Sequence, residues 1–317
     1  MLSKYFVAFA VFTVSVTSSI LPNYTRRTNG VALAGNVIVG TVISAAVSEV
    51  GFDGNEDSED TPEVDPELDL PSPNLDAVFS VPDSDFGRYE TGGLVREDID
   101  FSNTTEFTTE AVAAWVCNKK ATSTNGDKVQ GKGISVTNGD SVKRGFYIYH
   151  NSCDQVPFKY IWIPAGKTRY VELPANFEGR ITRGDNKWNL GGVARPLGTW
   201  FEFSFDSGGV AWGDVSLIRG CDGAVAMWST DDLPQRHTGF RQWILDGAPE
   251  KAYAKKPSGA KVIGPTEGKD ASINTVPRNY VLNKVGADHA YVDDSHAKPV
   301  INSQNGRFGV WFGRGRI

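Results

Sequence analysis

Between Trp200 and Asp206 the chain alternates. Phe201, Phe203 and Phe205 share one face, while Trp200, Glu202, Ser204 and Asp206 share the other. A period of two is the signature of a half-buried strand. After a glycine-rich joint, Asp214-Val215-Ser216-Leu217 alternates in the same way. The two runs predict neighbouring strands whose phenylalanines face a core. Glu202 and Asp214 then stand on the polar side. Upstream, "GKGISVTNGDSV", "RGFYIYHNSC", "FKYIWIPAGKTRYVELP" and "FEGRITRGD" are short strand patterns bounded by glycine, asparagine or proline. Asn138-Gly139 reads as a tight turn between strands, and Pro164-Ala165-Gly166 breaks one strand from the next. "GRFGVWFGRG" reads as the last strand. Regular short strands of this kind predict an all-β sandwich. A looser stretch over 247–277, basic at Lys251, Lys255, Lys256 and Lys261, reads as an exposed loop excursion.

Composition supports many strands and turns over long helices. The 317 residues hold 34 glycines, 16 prolines and 17 phenylalanines against two methionines. The net charge of −6 hides a division. Thirteen acidic and three basic residues precede Phe86, leaving 25 acidic and 29 basic residues for the body. The basic charge is dispersed, which argues against a nucleic-acid partner.

The N-terminus has Lys4 followed by an apolar run, Tyr5 to Val16, and then small residues. This is the layout of a signal peptide, here 1–19, and it predicts a secreted protein, extracellular or in a cell wall. Asn23 and Asn103 each open a glycosylation triplet. Arg26-Arg27 is a dibasic pair. Residues 31–50 are long enough to span a bilayer, but their glycines, valines and Asn36 argue against it, and no stable membrane span is expected. Nine carboxylates between Asp53 and Asp69, with no lysine or arginine, predict disorder. Residues 20–105 thus read as a disordered acidic leader or linker, and 106–317 as the domain.

Three cysteines, Cys117, Cys153 and Cys221, have no metal-ligand spacing. One disulfide and one free thiol are expected, with all three pairings open. No cofactor and no metal site are expected. Arg183-Gly184-Asp185 spells a cell-adhesion triplet but is equally good turn chemistry.

The order of pieces over about residues 130–317 resembles the thaumatin-like proteins. "IYHNSC" is similar to that family's opening strand, and "IWIPAGKTRYVELP" to its strand, glycine turn and strand. "GRITRGDNKW" follows in the same order. The most specific likeness is Glu202-Phe203-Ser204-Phe205 followed by Asp214-Val215-Ser216-Leu217-Ile218-Arg219-Gly220. "YVLNK…PVINSQNGRFGVWF" is similar to the closing segment. The resemblance implies a thaumatin-like β-sandwich and an acidic cleft lined by Glu202 and Asp214, associated with carbohydrate binding and in some members with weak β-1,3-glucan hydrolysis. The family's second cleft aspartate falls here on Arg219, and its cleft arginine near Trp162. The family is usually stapled by many disulfides, so with three cysteines the chain resembles a reduced, fungal or other microbial version. Each missing bridge forgoes on the order of 2–4 kcal/mol.

The expected function is binding of cell-wall β-glucan through Glu202 and Asp214 with aromatic platforms at Trp162, Trp200 and Trp212, in defence, wall remodelling or host interaction. The alternative is a secreted effector-type scaffold that engages a host or other target protein. A third reading, weak endo-β-1,3-glucanase, makes Glu202 and Asp214 the catalytic candidates, since glycoside hydrolysis uses a carboxyl pair.

Overall fold

The computed structural model describes residues 68–80, 115–192, 197–231, 236–294 and 299–317. The signal peptide, Asn23, Asn103 and residues 31–50 lie outside the described residues. Among those described, no helix is long and apolar enough to cross a membrane.

The architecture is all-β. A seven-stranded sheet is built from β1 (Thr122–Thr124), β3 (Arg144–His150), β4 (Lys159–Ile163), β6 (Glu178–Gly184), β7 (Trp200–Phe205), β8 (Ala211–Ser216) and β13 (Ile301–Ser303), in the order β1-β4-β3-β6-β7-β8-β13. A five-stranded sheet contains β2 (Gly133–Gly139), β5 (Thr168–Glu172), β9 (Gly223–Ser229), β10 (His237–Gly239) and β14 (Arg307–Gly315), in the order β10-β9-β14-β2-β5. The two sheets face each other across one apolar core. Phe201 of β7 meets Phe308 of β14, and Phe146 of β3 meets Phe312 of β14. Phe201, Phe203 and Phe205 are at most 4 % exposed, so the phenylalanine face of β7 is the core face.

The expected turn at Asn138-Gly139 is not a hairpin. Both residues belong to β2, and the chain then crosses from the small sheet to β3 in the large one. Long-range packing decides this. The Trp311 indole of β14 lies against Gly139, where a Cβ would come within 2.1 Å of its Nε1. The buried Asn138 amide bonds the carbonyls of Val142 and Ile163 instead of turning the chain. Pro164-Ala165-Gly166 does break β4 from β5, with Gly166 at φ +70°.

The 247–277 stretch is more ordered than a loop excursion. A 3-10 turn (Glu250–Ala252) leads into a two-stranded ribbon, β11 (Tyr253–Lys255) with β12 (Lys261–Ile263). A helix, Thr275–Lys284, follows. It tolerates Pro277 because the first helical turn has no intrahelical partner for that missing N–H. The Tyr280 hydroxyl ties this helix to the carbonyls of Ile244 and Asp246.

The acidic leader is not disordered throughout. Residues 68–80 pack on the domain. Leu70 donates its N–H to Thr168 at the edge of β5, and a short helix, Leu75–Val78, buries Val78.

Candidate functional site

The site is built on the outer face of the seven-stranded sheet. Antiparallel register places Glu202 of β7 directly opposite Asp214 of β8, and Arg180 of β6 directly opposite Glu202. Directly opposed residues have Cβ atoms about 4.5–5.5 Å apart. Arg180, Glu202 and Asp214 thus form one row across three strands. The rows on either side carry aromatics: Trp200 opposite Ser216, and Trp212 opposite Ser204. Trp212 is 45 % exposed, and Glu202 and Asp214 are half-buried.

The cation in this row is held by two rings and a carboxylate. Arg180 is buried, with its guanidinium 4.3 Å from the Trp200 ring and 5.0 Å from the Tyr149 ring. Asp154, in the loop after β3, closes an ion pair on it. Stacking plus a carboxylate contact leaves the guanidinium one orientation, so it is a fixed charge behind Glu202. Arg180 Nε, Trp200 Nε1 and Thr182 Oγ1 are buried with no hydrogen-bond partner. Thr182 continues the same face into a cavity of about 180 Å³ whose walls include Trp188, Asn189, Lys255 and Lys256.

Trp162 is not brought to the acids. It lies on β4, separated from β7 by β3 and β6, three strand spacings of about 4.8 Å each. Its indole N–H bonds Asn186, which also accepts from the Tyr147 hydroxyl. Arg219 sits in the turn after β8 and reaches the Gly268 carbonyl at 3.4 Å. The cation that sequence reasoning missed is Arg180. Its signal was present: Ile181 is an inward residue of "GRITRG", so both its neighbours must point outward.

The disulfide pairs Cys117 with Cys153 and leaves Cys221 free. Cys153 immediately precedes Asp154, so the crosslink anchors the loop that reaches Arg180. Cys221 is fully buried, and burial pushes its thiol up to about 11, which makes it unreactive at neutral pH. Arg183 is also buried, donating to the carbonyls of Gly313 and Ala224, so the Arg-Gly-Asp triplet does not present its arginine. Among the described residues, no cluster of histidine, cysteine and acidic side chains is arranged to hold a metal. Asp293 is engaged by Arg278 at 2.8 Å.

His150 adds a pH dependence beside this loop. Its ring stacks on Trp115 at 4.2 Å, and its Nδ1 accepts the N–H of Ser152. Burial lowers its affinity for a proton below the ordinary value of 6.5, and nearby Glu178 opposes that only in part. The folded state therefore binds this proton less readily than the unfolded chain. The stability it contributes is complete above about pH 6.5 and is lost as pH falls through the lower folded value. Denaturant unfolding should give a lower stability at pH 5 than at pH 7, with a smaller difference in His150→Phe. An unchanged difference contradicts this assignment.

The chain matches no model of a known protein family and no curated protein.

Proposed function

We propose that this is a secreted, thaumatin-like protein that binds cell-wall β-glucan on the outer face of its seven-stranded sheet. The observation that carries the reading is the Glu202–Asp214 pair, opposed in register between Trp200 and the half-exposed Trp212. Ionised carboxylates accept hydrogen bonds from sugar hydroxyls, and charge assistance strengthens each bond. An exposed indole offers a flat apolar surface to the ring of a neighbouring sugar unit.

Arg180 is a positioning residue in this scheme. It sets the charge behind Glu202 and is itself set by Asp154. A glycosidase needs one of its two acids kept protonated by an apolar surround. A cation stacked on Trp200 and Tyr149 shares the row of the pair here, which supports binding over hydrolysis.

The test is sedimentation with insoluble β-1,3-glucan. The wild-type protein should be retained, and Glu202→Ala and Asp214→Ala should each lose most of that retention. No retention of a folded wild-type protein favours the effector scaffold. Release of reducing sugar that either change abolishes assigns hydrolysis instead.

A further inference from the structure

A second surface lies on the five-stranded sheet, away from the acid pair. Residues 68–80 are fastened at both edges of that sheet. At the β5 edge, the Leu70 N–H bonds the Thr168 carbonyl at 3.0 Å and the Ser72 hydroxyl bonds the Gly166 carbonyl. Asp69 pairs there with Lys167 at 3.3 Å and with Arg169 at 3.0 Å. At the β10 edge, Asp76 pairs with Arg241 at 2.8 Å, and the Phe79 ring meets His237 at 4.4 Å. Between these edges, Ala226 and Trp228 of β9 point away from the core yet are only 0 % and 7 % exposed. Within the sheet, Trp228 lies on Gly309 and Ala226 stands opposite Trp311, and residues 68–80 are anchored at the two edges that bracket this face.

The chemistry of the contact is that of a bound peptide. One backbone bridge adds the segment to a sheet edge, as in strand-addition recognition. Its carboxylates meet basic side chains of the body at both ends. Val78 provides a buried apolar contact and Phe79 an aromatic one.

We propose that the β5 edge and the outer side of the five-stranded sheet form a peptide-binding surface for an acidic segment that bridges the edge, makes one helical turn and closes on an aromatic residue. Residues 68–80 are its resident occupant, held in cis. The Leu70 bridge caps the Thr168 end of the β5 edge, whose other end is met by Asp127, and an uncapped edge invites pairing with another chain. A second peptide of the same chemistry competes for the same place.

The experiment uses the full chain with a specific protease site inserted between Arg96 and Glu97. After cutting, the N-terminal fragment should co-elute with the body in gel filtration. Excess synthetic peptide covering residues 66–82 should displace it. Asp69→Lys with Asp76→Lys should weaken retention about tenfold or more, a change of about 1.4 kcal/mol. Pairing Asp76→Arg with Arg241→Asp in an otherwise unchanged chain should restore most of what Asp76→Arg alone loses. Immediate separation of the fragment from a body that keeps its circular dichroism overturns the proposal. So does retention that neither the peptide nor the charge reversals disturb, which marks a permanent structural strand.

Discussion

Replacing Asp222 by alanine is expected to lower the unfolding free energy by about 3–5 kcal/mol. Asp222 is 1 % exposed and joins four parts of the fold. It accepts from Lys256 Nζ of the ribbon turn at 2.7 Å and from the Thr199 N–H at 3.2 Å. It stands at the start of β9, and Arg183 Nε of β6 is 3.4 Å away, near enough for ion pairing but not aligned as a hydrogen bond. Removing the carboxylate leaves the buried Arg183 guanidinium, held then only by the Gly313 and Ala224 carbonyls, and the half-buried Lys256 ammonium without their counter-charge. That costs more than the pair is worth in isolation, because a charge without a partner carries its full desolvation penalty. Lys256→Met added to Asp222→Ala should recover part of the loss. Urea unfolding at pH 7 measures it, and a change under about 1 kcal/mol contradicts the assignment.

Removal of the Cys117–Cys153 bridge is the second large effect. The crosslink closes a loop with a sequence separation of 36 residues. Loop closure of that length contributes about 4 kcal/mol in the chain-entropy account, and measured values are commonly about 2–4 kcal/mol. The double variant Cys117→Ser, Cys153→Ser should lose stability in that range. It should also loosen Asp154 from Arg180, because Cys153 fixes the start of their loop. Glucan retention should therefore fall even in conditions where the variant remains folded. Stability unchanged on removing the bridge contradicts this reading.

The central pair was legible in the sequence because a period of two assigns faces without knowledge of the rest of the fold. Phe201, Phe203 and Phe205 had to be inward, so Glu202 had to be outward, and Val215 placed Asp214 by the same rule. The partition of strands between sheets was not legible. β2 and β3 adjoin in sequence but lie in different sheets, and the packing of Trp311 on Gly139 that accompanies this spans more than 170 positions. Trp162 was misplaced for the same reason, since alternation gives its face but not its distance from β7. The docking of residues 68–80 was hidden by averaging. The dense acids before Asp69 mask Leu70, Leu75, Val78 and Phe79, and Asn74 caps the helical turn among them.

The most direct measurement is a calorimetric titration with a soluble β-1,3-glucan oligosaccharide, comparing wild type with the isosteric double variant Glu202→Gln, Asp214→Asn. Hydrogen bonds to charged groups contribute about 1.5–3 kcal/mol each. The account predicts wild-type binding and an affinity about tenfold or more weaker in the variant, with the thermal transition unchanged. Equal affinity in the two proteins, or no heat of binding in a wild-type protein that is fully folded, would contradict it.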